Sequence, residues 1–278
     1  MKKSQLMCAI WPWGTGAREE METALTEIVP IGFKSFESVR AAIYAFNNDV
    51  DAYKEVLNRH GVEAGSFYFH IPYYGGENGL FDTLERDLEF VAKLGITRAT
   101  LQGTGGRPLD GVMTMELKEH NLNNMLKFAK IAKTFGIKTN VHPHIDTYFM
   151  YEDEVDFVMQ NTDKDLIYFA PDTAHLAAAD MDPAVIMKRY ADRINFVHLK
   201  DYKLGEEATY GGWVDSGVPI VNCFCELGKG VVNFSEVFKV LNEAKYTGPL
   251  CTELDRPPVS NVESAINNYN FAIKFLED

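Results

Sequence analysis

Eight short β-rich runs alternate with helix-forming segments along the chain, and that alternation restricts the fold more than any other feature. The runs are LMCAIW, FKSFE, GSFYFHI, TRATLQG, IKTNVH, LIYFAPD, INFVHLKD and PLCTELD. Between them lie segments such as LFDTLERDLEFVAKLG, NLNNMLKFAKIAKTFG, FSEVFKVLNEAKYTG and the closing NVESAINNYNFAIKFLE. In the first of these, Leu84, Leu88, Val91 and Leu94 recur at the three-to-four spacing of an amphipathic helix. NRHGV, AKLGI and KTFGI each place glycine just before the next run, where a left-handed residue closes a helix. Parallel strands joined by helices need right-handed crossovers, and eight such units in order predict an α/β fold, the (β/α)8 TIM barrel. The length of 278 residues suits a barrel that needs about 250. No linker or low-complexity stretch divides the chain, so residues 1–278 read as one domain. The first two units are the least regular, because IVPIG carries a proline and SVRAAIYAFNNDVDAYKEVLNRHG runs long.

A formal net charge of −13 argues against nucleic acid as partner, since that binding is driven by Lys and Arg neutralising phosphates. It favours a small, uncharged substrate. The opening MKKSQLMCAIWPWG has too short an apolar run for a signal peptide, and no window approaches a membrane span. Cys8, Cys223, Cys225 and Cys251 form no CxxC pair, and a reduced, cytoplasmic protein is the expectation.

In a barrel of this kind the active site gathers at the C-terminal ends of the strands. Polar residues ending the β-rich runs are therefore the site candidates. Run five ends at His142 and His144, run six at Asp172 and His175, run seven at His198, Lys200 and Asp201, run eight at Glu253 and Asp255. Side chains alternate along a strand, so His142 and His144 face the same side. Four of the seven histidines fall between positions 142 and 198. A mixed His, Asp and Glu set without cysteine suits a divalent ion of Mn, Co, Zn or Fe(II), among which the residues do not choose, rather than a structural zinc site. Such an ion beside a carboxylate base polarises a carbonyl or a hydroxyl pair, the chemistry of proton removal next to a ketone.

Further candidates line the same rim. Trp11 and Trp13 end run one, and an aromatic face there suits the C–H-rich surface of a sugar. His70, Tyr73 and Tyr74 end run three and read as substrate wall. LQGTGGRPLD lacks the spacing of a phosphate loop and reads as a tight turn, from which Arg107 reaches toward a substrate oxygen. Glu226, in CFCELGKGVVNF, is the loop acid before the seventh helix and a candidate substrate contact. RPP at 256–258 ends strand eight, and His60 and His120 belong to solvent-facing helix surfaces.

The second half, roughly 137–275, resembles the xylose-isomerase-like barrels, which include sugar epimerases, endonuclease IV and inosose dehydratases. VHPHIDTYF, FAPDTAHL, ADRINFVHLKD and GKGVVNFSEVFKVLNEAKYTGPLCTELD are similar, in order, to inosose dehydratase motifs. The resemblance implies one metal held from the ends of strands five to eight, at His142, Asp172, His198 and Glu253. The wider family usually carries Glu where this chain has His142. The resemblance also implies that His144 faces the substrate and that His175 and Lys200 contact its hydroxyls or keto oxygen. Gly228, Gly230, Asn233 and Phe234 satisfy the G-x-G-x-x-(D/N)-F turn of relatives.

The function these readings favour is metal-dependent proton abstraction next to the ketone of a cyclic keto-polyol or keto-sugar, with dehydration first. Glu253 or His144 serves as base, and Lys200 steadies the keto oxygen or its neighbouring hydroxyl. The same enolate reprotonated gives an epimerase or isomerase. Expulsion of a carbon group gives the catalytic subunit of a C-glycoside deglycosidase acting on 3-keto glycosides, which pairs with a small β-subunit. A homo-oligomer is compatible with each. An endonuclease IV-type repair enzyme needs a basic groove that a charge of −13 does not favour, and a non-catalytic sugar-binding barrel needs no metal-type strand ends.

Overall fold

The computed structural model describes residues 1–14, 16–104, 113–203 and 223–278. Each β-rich run becomes a strand: β1 (Leu6–Ala9), β2 (Ser35–Val39), β3 (Glu63–Pro72), β4 (Arg98–Thr104), β5 (Lys138–Val141), β6 (Ile167–Phe169), β7 (Val197–Leu199) and β10 (Leu250–Thr252). Their order is β6-β5-β4-β3-β2-β1-β10-β7, and every pair is parallel. The two ends of this sheet meet through single bridges, Phe169 with Ile194 and Asp172 with His198. Backbone bonds from Asn195 N to Phe169 O (3.2 Å) and His198 N to Pro171 O (3.0 Å) complete that seam. The sheet is thereby curled into the expected barrel, and one short antiparallel ribbon, β8 (Asp201–Tyr202) with β9 (Phe224–Cys225), stands beyond β7.

Helices α1 (Arg18–Ile28), α4 (Leu80–Lys93), α5 (Met115–Thr134), α6 (Glu152–Gln160), α9 (Phe234–Glu243) and α10 (Asn261–Ala272) lie in the connections. In α4 the predicted stripe is what packs, since Leu84, Leu88 and Val91 are buried. Full burial of each stabilises by about 1.5–3 kcal/mol relative to exposure. The long second connection resolves into two helices, α2 (Arg40–Ala45) and α3 (Val50–His60). Asn47 and Asn48 break them apart at φ 52 and 60, conformations that Asn tolerates better than most residues. Asp49 then caps α3 by accepting from Asp51 N and Ala52 N, both at 3.0 Å. α7 (Thr173–Ala178) and α8 (Pro183–Arg189) follow β6 directly. No helix among the described residues is long and apolar enough to cross a membrane.

Most of the apolar core lies between strands and helices. A second, small cluster of Met7, Ala9, Ala170, Phe196 and Cys251 fills part of the barrel interior, with Trp11 packed on it. Polar Glu37, Ser66, Thr100 and His198 are buried as well. That polar layer lies beside the rim residues.

Candidate metal centre and substrate pocket

Four neighbouring strand ends deliver the predicted ligands. His142 follows β5, with its backbone N–H bonded to Leu101 O at 3.0 Å, and Glu253 follows β10, bonded to Leu199 O at 3.0 Å. Asp172 is the N-cap of α7, so its Oδ1 accepts from Ala174 N (2.8 Å) and His175 N (2.9 Å). Its other oxygen, Oδ2, is then free to face the barrel axis. His198 lies within β7, and its Nδ1 is 3.2 Å from His142 Nδ1, 3.2 Å from Glu253 Oε2 and 4.0 Å from Asp172 Oδ2. All four side chains are buried.

Three features of this cluster fit a cation. Asp172 Oδ2, Glu253 Oε2 and His142 Nε2 are buried and make no hydrogen bond among the described residues, a costly state that an ion relieves. Two imidazole nitrogens face each other, although in the absence of an ion one must surrender its lone pair. Three acids, Asp172, Glu253 and Asp255, also surround the single ammonium of Lys200, while Glu37 pairs with His198. Donor atoms of His142, Asp172 and His198 lie within 4.8 Å of one another, as do those of Asp172, His175 and Glu253. The residues therefore suit a divalent ion. Burial pushes His142 well below the usual imidazole range, with His198 adding to it. Burial also opposes charge on His198, but Glu37 and Glu253 outweigh it and hold that ring up to about 9.

Lys200 is the hub beside this cluster. Its Nζ donates to Glu253 Oε1 at 2.5 Å and Asp255 Oδ2 at 3.0 Å, stands 3.1 Å from His175 Nε2, and lies over the Phe224 ring. Burial opposes its charge, but Asp172, Asp255 and Glu253 outweigh that cost and keep it an ammonium. His144 packs its ring 3.8 Å from that of His175, and its Nδ1 meets Ile145 O at 2.8 Å. A carbonyl only accepts, so Nδ1 carries the proton and Nε2 the lone pair. Burial, helped by Lys200, pushes His144 down to about 4, which leaves it neutral.

A pocket of about 370 Å³ opens onto the cluster, lined among others by Trp11, Tyr68, His70, Gln102, His144 and Glu253. Trp11 and Tyr68 form an aromatic wall with ring centroids 5.3 Å apart, and Tyr68 stacks over His198. Tyr68 Oη donates to Gln102 Oε1 at 3.0 Å. His70 is pushed down by burial, against a hydrogen bond with Gln102.

The structure brings His142, His144, Asp172, His175, His198, Lys200 and Glu253 together, and His70 joins them across the pocket. Two candidates stand elsewhere. Trp13 lies outside the pocket lining, because the chain leaves β1 in a 3-10 turn and its Nε1 donates to Glu27 Oε2 at 2.6 Å, leaving Trp11 on the pocket side. Glu226 is turned toward α10, where it accepts from Ser264 Oγ (2.9 Å) and Asn267 Nδ2 (3.0 Å) and pairs with Lys229. Asp201, also a rim acid, is spent on the backbone N–H groups of Tyr202, Gly228, Gly230 and Val232. Gly230 has to be glycine here, since a Cβ would lie 2.3 Å from Tyr202 O. Arg107 lies outside the described residues. Sequence reasoning missed Glu37, whose Oε2 meets His198 Nε2 at 2.5 Å, and also Tyr68 and Gln102. The acid that ends the run FKSFE was the available signal for Glu37, since run-ending polar residues are the rim candidates.

Comparison with known proteins agrees with the barrel fold. Residues 25–278 match the family described as xylose isomerase-like TIM barrel. The chain is 28% identical over 277 residues to an inosose dehydratase of Clostridium botulinum, covering 93% of this chain and 88% of that one. In fold it is similar to the IOLI protein with a bound zinc atom, with a TM-score of 0.77, 13% identity and 98% of both chains covered. It is likewise similar to an L-ribulose 3-epimerase, with a TM-score of 0.74, 16% identity, and 98% of this chain and 94% of that one covered. With the match spanning nearly all of its length, the chain belongs to the xylose isomerase-like TIM-barrel family.

Proposed function

We propose that this protein is a divalent-metal-dependent lyase that removes water from a cyclic keto-polyol of the inosose type, with manganese the favoured ion. The observation that carries the reading is the convergence of His142, Asp172, His198 and Glu253 in one buried cluster, whose Glu253 also lines the pocket walled by Trp11 and Tyr68. These four side chains would hold the ion, which supplies Lewis-acid polarisation of a carbonyl or hydroxyl pair. The likeness to inosose dehydratases supports dehydration as the outcome.

The chain's own groups divide the remaining work. Glu253 is held at Oε1 by Lys200, and its unbonded Oε2 faces His198 Nδ1, which suits a ligand more than a mobile base. His144, neutral and lining the pocket with its Nε2 lone pair available, is the proton acceptor for the carbon next to the ketone. Lys200 holds Glu253 and Asp255 in place and presents positive charge to developing negative charge on the substrate. Trp11 and Tyr68 offer apolar faces to the C–H side of the ring, while Gln102 and His70 offer hydrogen bonds to hydroxyls.

The test is incubation of metal-loaded protein with keto-inositols, keto-sugars and 3-keto glycosides in D2O, followed by NMR. Loss of water from a keto-inositol, with deuterium exchange next to the ketone, is the expected result. Exchange and epimerisation without elimination would make the protein an epimerase. No exchange on any compound would remove the proton-abstraction reading altogether.

A further inference from the structure

We infer that Glu37 is a positioning residue for the metal centre: its carboxylate fixes which ring nitrogen of His198 faces the ion, and makes Nδ1 the ligand. This rests on the metal-centre reading above. Glu37 is fully buried on β2, three strands from β7 around the barrel. Its Oε1 accepts from Ser66 Oγ at 2.8 Å and Thr100 Oγ1 at 2.6 Å, hydroxyls supplied by β3 and β4. Oε2 is left to meet His198 Nε2 at 2.5 Å. A carboxylate has no proton to give, so the imidazole N–H is the donor in that contact. Nδ1, on the other side of the ring, faces Asp172 Oδ2 at 4.0 Å, Glu253 Oε2 at 3.2 Å and His142 Nδ1 at 3.2 Å, and is the nitrogen that would give its lone pair to an ion once its proton is displaced.

Stability alone does not account for this arrangement. An ion pair buried this deep gains little over well-packed apolar residues of the same volume. The neighbouring interior positions Met7, Ala9, Ala170, Phe196 and Cys251 show that the barrel takes apolar filling readily. Carboxylate partners of metal-bound histidines set ring orientation and tautomer, and their loss weakens metal binding by about 10–100-fold. Glu37, His198 and Cys251 also bring donor atoms within 4.8 Å of one another. The two oxygens of Glu37 are already committed to three partners, which argues against an ion on that side of the ring.

The experiment uses the full chain labelled with 15N-histidine and loaded with 113Cd2+. Scalar coupling between cadmium and His198 Nδ1, with the proton on Nε2, is the expected result. Coupling to Nε2 instead overturns the inference and leaves a metal site standing. No coupling to His198 at all removes the metal-centre reading and the inference with it. In parallel, Glu37→Gln keeps the side-chain size but brings an amide that donates as well as accepts. Calorimetric titration with Zn2+ should show a dissociation constant raised about 10–100-fold, with the ligand side chains unchanged. A parental constant overturns the inference. If that variant does not fold, the spectrum of the parent protein decides alone.

Discussion

His142 and His144 leave the same strand two residues apart, yet the first ring sits 4.7 Å from that of His198 and the second 3.8 Å from that of His175. The expected outcome of His142→Ala is weaker metal retention, read as ion content after dialysis. His144→Ala should keep the ion and lower turnover by about 10²–10⁴-fold, the usual contribution of an acid–base group. Equal metal loss in both variants would cancel this division of labour. Both histidines were legible in the sequence, because barrel topology turns a strand-end position into a rim position. Trp11 and Trp13 were not separable in the same way, since period-two alternation fails once the chain enters a 3-10 turn at Trp11–Trp13. Glu37 was harder still. Its partners Ser66, Thr100 and His198 lie 29, 63 and 161 residues away, so its place at the end of FKSFE was visible but not its burial among them.

Several rim elements are fastened by acids that look catalytic in sequence. Asp172 caps α7 through Oδ1 and turns Oδ2 to the centre, so the two roles separate by substitution. Asp172→Asn keeps a capping oxygen and should fold while losing the ion, seen as metal content. Asp172→Ala should lose the cap as well, at a further cost of about 0.5–2 kcal/mol in denaturant unfolding. Glu226 binds the loop before α9 to α10 through Ser264 and Asn267. Glu226→Gln should lower stability by about 1–3 kcal/mol, as expected for a disturbed buried hydrogen-bond set, and leave KM unchanged. Burial raises the Glu226 pKa, but bonds from Lys229, Asn267 and Ser264 outweigh it, so the folded value lies below the ordinary 4.5. The stabilisation is therefore present above pH 4.5 and is lost as pH falls through the lower folded value. Urea midpoints of parent and variant should converge in acid; a gap that widens there would contradict this account. Helices and strands themselves were legible as elements. The division of the second connection into α2 and α3 hinged on NND at 47–49, a capped break inside one long polar-apolar run.

Over the whole molecule, eight alternating runs sufficed to indicate a barrel, but not where its closure is thinnest. Seven parallel pairings join the strands from β6 round to β7. Among the described residues, the remaining junction has strand-type pairing only at the bridges Phe169–Ile194 and Asp172–His198. The proposed ion, held by Asp172 and His198, would span that junction. Saturating metal at 100 times its dissociation constant should add about 2.7 kcal/mol of stability, visible as a higher Tm that a chelator reverses. Amide hydrogen exchange at Asn195 and His198, whose N–H groups close the junction, should slow on loading more than exchange at β3 or β4. Uniform slowing across all strands would show that the ion acts elsewhere. On the proposed reading, the bridge between Asp172 and His198 makes the metal centre also a rivet. If the proposed ion sits there, its loss would cost the barrel its hoop tension along with the proposed turnover, and proteolysis should then begin at that seam.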